Sequence, residues 1–260
     1  MTEFRLALVQ MEIVDGEPAR NIATADRMIA EHPGADLYLL PELWTSGYAH
    51  RRWPAIADGN TPGALDALRR TAAAQRALIG GTVISRNGDG RLVNRFWLVG
   101  PEGPVARYDK THLFQPMDEP RHLVPGGERA RVRVGPFTAA LSTCYDLRFP
   151  EMYRRDAVDG ADLFLVPSEW PAERSDAMRT LAQARAIENQ AYLALTNRTG
   201  RGGDGTEFGG GSLIVGPAGE IVAALGAQAG VATGVLEEPR VAGVRGPLAH
   251  YAGRRPGVDY

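Results

Sequence analysis

The sequence predicts an α/β protein built from two pseudo-repeated halves. Two observations support this fold class. Short apolar runs alternate with Ala- and Arg-rich segments of helical period along the chain. In addition, the phrase GADLYLLPELW at residues 34–44 returns as GADLFLVPSEW at residues 160–170. The copies differ just after the proline, where the first has Glu42 and the second has Ser168.

The first half has the predicted order β-α-β-α-β-β. Runs rich in Val, Leu, Ile and Phe indicate strands, and apolar residues at helical spacing indicate helices. The turn sequence NGDG between the last two strands is typical of a hairpin. The predicted elements are strand 4–11, helix 17–32, strand 35–40, helix 63–77 and strands 78–86 and 93–100.

The second half repeats this order, and the segment GDG…LVGPEGPVA at 88–106 is echoed by GDG…IVGPAGEIVA at 203–223. A single domain 1–260 with halves at about 4–110 and 137–225 and a tail at 240–260 follows from this pattern. The predicted elements are strand 137–144, helix 151–160, strand 161–167, helix 176–190, strand 191–198 and closing strands within 210–225.

The apolar strands LYLL and LFLV show no polar alternation, which is typical of sheets buried on both faces. Each half supplies helices for only one face of its sheet. We therefore expect the two sheets to stack on each other with the helices outside.

Composition excludes several classes of function. The 260 residues are 44% hydrophobic and 23% charged, as in soluble globular proteins, and the net charge of −2 argues against nucleic-acid binding. The N-terminus lacks a basic lead and no apolar run approaches a membrane span, so a cytoplasmic protein without membrane contact is expected. The Gly-rich segment 200–211 lacks the Lys-Ser/Thr of a phosphate-binding loop, which favours a hairpin.

One cysteine and scattered histidines give no pattern for a metal. Cys144 has no disulfide partner, and the histidines form neither a close pair nor a His-Glu-x-x-His motif. We therefore expect neither a metal nor another cofactor. The histidine positions are 32, 50, 112, 122 and 250.

Cys144 stands between a predicted strand and a predicted helix that begins near Pro150. This arrangement is typical of a nucleophile elbow, and a nearby helix N-terminus is expected to lower the pKa of a thiol. Burial as a small apolar side chain is the alternative, and it is the commoner state of a lone cysteine.

Glu42 also follows a predicted strand, and Lys110 in VARYDKTHLFQP (105–116) stands at the end of the last apparent strand of the first half. Glu42 lies in LLPELW, where apolar neighbours on both sides argue against a solvated turn residue and favour a general base. Lys110 by itself is a weak signal, because most lysines are surface cations with packed stems. Because ligands gather at the carboxyl ends of strands, Glu42, Lys110 and Cys144 together offer a base, an oxyanion partner and a nucleophile.

Six segments resemble the nitrilase, or carbon–nitrogen hydrolase, superfamily: PELWTSGY (41–48), YDKTHLF (108–114), STCYDLRFPE (142–151), QARAIENQAYLALTNRTG (183–200), GGGSLIVGPAGEI (209–221) and HYAGRRPGVDY (250–260). They extend over nearly the whole chain. The resemblance implies a four-layer α-β-β-α sandwich that pairs into homodimers. It also implies a catalytic triad of Glu42, Lys110 and Cys144.

Many members of this superfamily use a second glutamate between the lysine motif and a Pro-Gly pair. In DEPRHLVPGG (118–127) that residue is Glu119, although Asp118 is adjacent and Glu128 follows. The resemblance thus assigns Glu119 to the catalytic group, where it orients Lys110 or the amide nitrogen. The backbone N–H of Tyr145 is expected to join Lys110 in stabilising an oxyanion.

The resemblance is greatest to amidases that act on small molecules, including ω-amidases of 2-oxo-dicarboxylate monoamides. Nitrilase branches tend to have Trp-Glu after the cysteine, whereas this chain has Tyr145 and Asp146. A small-molecule amide is therefore the expected substrate. A nitrilase, an N-carbamoyl-amine hydrolase and a catalytically silent scaffold remain alternatives. The residues expected to shape the substrate pocket are Tyr48, Tyr145, Asp146, Ser168 and Trp170. Tyr48 and Trp170 are equally consistent with ordinary aromatic core, and Arg148 is expected to contact either a structural partner or a carboxylate.

Overall fold

The computed structural model describes residues 3–246 and 250–255. Its strands in chain order are β1 (Glu3–Gln10), β2 (Leu37–Leu39), β3 (Leu78–Arg86), β4 (Leu92–Gly100), β5 (Gly103–Asp109), β6 (Ala130–Val134), β7 (Phe137–Leu141), β8 (Leu163–Ser168), β9 (Tyr192–Asn197), β10 (Thr199–Arg201), β11 (Glu207–Gly209), β12 (Leu213–Val215), β13 (Ile221–Ala224) and β14 (Gly230–Glu237). Its helices are α1 (Pro18–Ala30), α2 (Trp53–Gly59), α3 (Thr61–Gln75), α4 (Glu119–His122), α5 (Pro150–Val158), α6 (Ser175–Asn189) and α7 (Glu238–Arg245).

The described residues form two six-stranded sheets and a two-stranded hairpin. The first sheet has the order β14-β1-β2-β3-β4-β5, and the second has the order β13-β12-β9-β8-β7-β6. Each sheet has three parallel strands at its centre, β1-β2-β3 and β7-β8-β9, with antiparallel strands on both sides. The two halves therefore give sheets of the same topology.

Residues of β1 alternate between two apolar layers. Leu6 and Leu8 join the layer between the sheets, where they pack with second-sheet residues such as Leu163. Ala7 and Val9 face the other way, into a layer shared with α1 and α3. Both faces of the sheet are covered, which explains why its strands are continuous apolar runs.

The repeated phrase occupies equivalent places in the two sheets. Leu37 and Leu39 of β2 point between the sheets, and so do Leu163 and Leu165 of β8. The intervening Phe164 points into the layer beneath α5 and α6. The predicted α-β-β-α sandwich of two pseudo-repeated halves is thus confirmed.

Several elements were not predicted from the sequence, among them β6, β14 and α2. The strand β6 (ARVRV) has exposed alternate residues and pairs only at the sheet edge with β7. The strand β14 (GVATGVLE) leaves the second half to pair antiparallel with β1, a long-range contact without a local signal. The short helix α2 covers part of β3.

Other boundaries differ from expectation at the site and at the chain end. β7 ends at Leu141 instead of residue 144, and a 3-10 turn occupies Cys144–Arg148. The expected hairpin within 200–211 is confirmed as β10 and β11. Of the predicted tail 240–260, residues 247–249 and 256–260 lie outside the described residues. Within the described part, no helix has the length and apolar character to cross a membrane.

Candidate active site

The structure brings Glu42, Lys110 and Cys144 to one edge of the stacked sheets. Glu42 follows β2, Lys110 follows β5, and Cys144 follows β7. β5 is antiparallel to β4, which is antiparallel to β3, so β5 ends at the same edge as β2. The Nζ of Lys110 lies 2.8 Å from Oε1 of Glu42, and both side chains are fully buried.

Both oxygens of Glu42 are held by hydrogen-bond donors. Its Oε1 accepts from Nζ of Lys110 at 2.8 Å and from Nδ2 of Asn94 at 2.7 Å. Its Oε2 accepts from the backbone N–H of Glu169 at 3.0 Å. An ion pair and two further hydrogen bonds thus compensate this carboxyl group for its removal from water.

The backbone around Lys110 is fixed on both sides. Its N–H donates to the carbonyl of Asn94, and its carbonyl accepts from the N–H of Gly126, each at 2.9 Å. A Cβ on Gly126 would lie 2.1 Å from the carbonyl oxygen of Asp109, so the chain passes here only because this residue is glycine. The Pro-Gly pair after the lysine motif thus anchors the lysine.

Glu119 completes a buried chain of charges. Its Oε1 accepts from Nζ of Lys110 and from the hydroxyl of Tyr48, each at 2.8 Å. Its Oε2 accepts from the backbone N–H of Phe114 at 2.6 Å. Burial raises the pKa of Glu119 above its ordinary value, and the ammonium of Lys110 opposes this rise. Glu119 therefore contacts the lysine and positions it.

Cys144 begins the 3-10 turn after β7 with a left-handed backbone, φ 45°. A non-glycine residue in this region costs free energy and persists only when its surroundings enforce it. Asp146 provides that enforcement, because its Oδ2 accepts from the N–H of Thr143 at 2.9 Å. The strand–turn–helix geometry predicted for the nucleophile is present.

The expected lowering of the thiol pKa is wrong. Burial and the neighbouring carboxylate of Glu42 raise the pKa of Cys144 well above its ordinary value, and Lys110 offsets only part of this rise. Burial also opposes the charge of Lys110, but the carboxylates of Glu119 and Glu42 raise its pKa well above the usual range. At neutral pH the resting site therefore holds a thiol beside an ammonium, and the thiol needs a base.

A small cavity of about 10 Å³ opens onto Cys144. Tyr145 and Trp170, both predicted from the sequence, belong to its wall. Two guanidinium groups lie there as well, Arg148 at 5.0 Å from the centre of the Trp170 ring and Arg174 at 5.6 Å from that of Phe114. The lining residues are Phe114, Cys144, Tyr145, Arg148, Glu169, Trp170, Pro171 and Arg174.

The other three predicted pocket residues lie outside this lining. Asp146 is fully buried, and its oxygens accept hydrogen bonds from Tyr108 and from the backbone of His112, so it supports the turn. Ser168 is fully buried within β8 and its hydroxyl contacts the carbonyl of Val166. The hydroxyl of Tyr48 donates its hydrogen bond to Oε1 of Glu119.

The model of the carbon–nitrogen hydrolase family matches residues 5–245. The chain belongs to the carbon–nitrogen hydrolase family. It is 35% identical over 247 residues to a 2-oxoglutaramate amidase of Bacillus subtilis, covering 94% of each chain. It is 38% identical over 248 residues to the ω-amidase YafV of Escherichia coli K12, covering 94% of this chain and 93% of that one. The crystal structure of a superfamily member from Xanthomonas campestris, with an arsenic adduct in its active site, superimposes with a TM-score of 0.93 at 30% identity over 100% of both chains.

Sequence reasoning missed three residues of this carbon–nitrogen hydrolase site. Asn94 is a buried polar residue in the apolar strand β4, a signal that was visible in VNRFWLVG. Glu169 is fully enclosed one position after β8. Arg198 follows β9 with its guanidinium against Glu169 and Asp15, at 3.3 and 3.1 Å. Among the described residues, no cluster of three or more His, Cys, Asp or Glu side chains has the arrangement of a metal site.

Proposed function

We propose that this carbon–nitrogen hydrolase cleaves the carboxamide of a small ω-amide carrying a carboxylate, releasing ammonia through a thioester on Cys144. The observation that carries the proposal is the small cavity that Cys144 lines together with two arginines. Glu42 and Lys110 form a fully buried ion pair in the same site, with 2.8 Å between Oε1 and Nζ. Cys144 and this ion pair supply the chemistry, and the arginines supply a place for an anion.

Acylation begins with the neutral thiol. Glu42 takes the proton as Sγ of Cys144 attacks the amide carbon, so no stable thiolate is needed despite the raised pKa. Lys110 donates two of its N–H groups to Glu42 and Glu119. Its third N–H and the backbone N–H of Tyr145 stabilise the oxyanion. The C–N bond then breaks as Glu42 returns the proton to nitrogen, which leaves as ammonia.

Deacylation uses the same groups. A water molecule donates a proton to Glu42 and attacks the thioester carbon, and the oxyanion again faces Lys110. The C–S bond breaks, the sulfur regains the proton from Glu42, and the carboxylic acid leaves. One base thus serves both half-reactions because the leaving group and the water occupy the same side of the acyl carbon.

The arginines support the choice of substrate. A guanidinium pairs with a carboxylate in two parallel hydrogen bonds, and Arg148 is braced by the face of Trp170. Arg174 pairs with Glu173 at 3.1 Å, but both side chains are substantially exposed, at 39% and 71%, so this pair is readily exchanged for a substrate carboxylate. The amidase names of the Bacillus and Escherichia relatives point to the same class, in which 2-oxoglutaramate is the first candidate.

The test is ammonia release by the purified protein over a panel of matched compounds. The panel contains 2-oxoglutaramate, its four-carbon homologue, butyramide, butyronitrile and an N-carbamoyl amine. We expect the 2-oxo-ω-amides to give the highest kcat/KM and Cys144→Ala to abolish all turnover. Preference for the nitrile or the carbamoyl amine would replace the proposal with one of those reactions. No turnover on any compound would favour a silent scaffold.

We also propose that two copies of the chain pair, as the family resemblance implies. Val158 of α5 and Ile187 of α6 are large apolar side chains exposed on neighbouring helices, at 41% and 46%. Ile187→Glu is expected to halve the mass measured by light scattering, whereas Val105→Glu, at another exposed apolar site, is expected to leave it unchanged. A monomeric parent protein contradicts this proposal.

A further inference from the structure

The side chain of Glu169 has no task in the reaction described above. Its backbone N–H holds Glu42, but any residue other than proline supplies that group. Glu169 lines the cavity with Cys144, and its side chain is fully buried. A buried carboxyl group is costly unless it is paired, so its presence beside the nucleophile calls for a partner.

Arg198 accounts for only one of the two carboxyl oxygens. Its Nη1 lies 3.3 Å from Oε2 of Glu169, and the same guanidinium also contacts Asp15 and the carbonyl of Ile13. Oε1 of Glu169 is buried and has no hydrogen-bond partner among the described residues. Burial raises the pKa of Glu169 well above its ordinary value, and Arg198 opposes the rise without cancelling it. Oε1 therefore lacks a donor that would stabilise the ionised group.

The proposed substrate class carries such a donor at one place. The polar groups of a 2-oxo-ω-amide are a carboxylate, a ketone and a carboxamide, and among them only the amide nitrogen is a hydrogen-bond donor. The arginines suit the carboxylate end and Lys110 suits the carbonyl oxygen. Both oxygens of Glu119 already accept hydrogen bonds, from Lys110, Tyr48 and Phe114. Oε1 of Glu169, in contrast, is buried without any donor among the described residues, so it is available to the amide N–H.

We propose that Oε1 of Glu169 accepts a hydrogen bond from the nitrogen of the scissile amide and so selects primary amides over substrates without an N–H. This inference rests on the proposed amidase function. In this proposal Glu169 is a substrate-binding residue that positions the leaving nitrogen. Glu42, whose Oε2 accepts from the backbone N–H of Glu169, transfers the proton.

The test compares two substrates of one acyl chain, the ω-amide and its p-nitrophenyl ester, which lacks an N–H. In Glu169→Gln the amide oxygen is expected to keep the contact with Arg198, and the NH2 group then faces the substrate NH2. We expect kcat/KM for the amide to fall about 10- to 100-fold and that for the ester to change less than about threefold. Glu207→Gln is the matched control, since it removes an exposed carboxylate of the β10–β11 hairpin.

Three outcomes overturn the inference. Equal losses on amide and ester would make Glu169 a positioning residue for Glu42 or Arg198. An unchanged amide rate would remove the side chain from the reaction. If Glu169→Gln does not fold, as judged by circular dichroism, Glu169→Asp replaces it, and retention of full amide activity with this shorter acceptor contradicts the proposed contact. Failure of the proposed function itself is separate, because the parent protein then releases no ammonia from any amide.

Discussion

The two copies of the repeated segment, residues 34–44 and 160–170, end at equivalent places in the two sheets but differ in the groups they contribute to the site. Glu42 follows β2, whereas Ser168 is the last residue of β8 and Glu169 follows it. These strand ends meet: the N–H of Glu42 contacts the carbonyl of Ser168 at 3.4 Å, and the N–H of Glu169 donates to Oε2 of Glu42 at 3.0 Å. One copy provides the carboxylate that we propose as the base, and the other provides the backbone groups that contact it. The two pseudo-repeated halves thus place two strand ends against each other, and one of them carries the proposed base.

The same asymmetry separates Met11 from Cys144, which follow the equivalent strands β1 and β7. Met11 is fully buried in the apolar layer beneath α1 and α3. Cys144 stands in a left-handed turn at the cavity. Equivalent positions thus serve packing in one half and chemistry in the other.

The largest effect is expected from exchanging these two residues for alanine. Cys144→Ala should lower kcat/KM by at least about four orders of magnitude, because no other group forms the thioester, and should leave the unfolding temperature nearly unchanged. Met11→Ala should cost about 2–5 kcal/mol of unfolding free energy with normal turnover per folded molecule. Ammonia release measures the turnover of each variant, and urea unfolding measures its unfolding free energy. Comparable turnover losses in both variants would contradict the assignment of Met11 to packing and Cys144 to the chemistry.

A smaller but still large effect is expected at the strand ends themselves. Glu42→Gln should lower kcat by about 10²- to 10⁴-fold, since the amide cannot take the thiol proton. Ser168→Ala removes only a 3.4 Å contact to Val166 and should change kcat less than about threefold. Steady-state kinetics on the ω-amide measures kcat for both variants. A large loss in Ser168→Ala would show that the second copy also takes part in the chemistry.

The tryptophans at the ends of the two repeated segments also differ in their surroundings. Trp44 lies in the apolar layer beneath α1 and α3, whereas Trp170 lines the cavity and supports Arg148. Arg148→Met should raise KM for the carboxylate-bearing amide about tenfold and leave KM for butyramide unchanged. An equal change for both amides would contradict the assigned anion contact.

The smallest effect concerns pH and stability. Burial raises the pKa of Glu169 above its ordinary 4.5, so the folded state holds this proton more tightly than the unfolded chain. Its contribution is fully present below pH 4.5 and is lost as pH rises through the folded pKa. Glu169→Gln has no such loss, so its unfolding temperature relative to the parent should increase from pH 4.5 to pH 8. A difference that shrinks over this interval would reverse the sign of the assigned shift.

The sequence predicted the central strands and longer helices because their apolar periodicity is a local property. It did not predict β14, since pairing of Glu237 with Glu3 joins opposite ends of the chain. The site divides in the same way. The reactive side chains follow strands that are visible in the sequence, whereas Asn94 lies 52 residues from the oxygen it holds.

The sequence by itself determined the duplicated α/β architecture and the positions of Glu42, Lys110 and Cys144, because apolar runs and the polar residues that end them are written consecutively. Only the tertiary structure decided how deeply these groups are buried, which partners they contact and in which direction their pKa values shift. It buried the thiol beside a carboxylate and so raised its pKa, and it turned Asp146 away from the pocket to support the turn. It also placed Glu169 against Glu42 across 127 residues. Burial and long-range contacts set these properties, and neither is encoded in any local pattern.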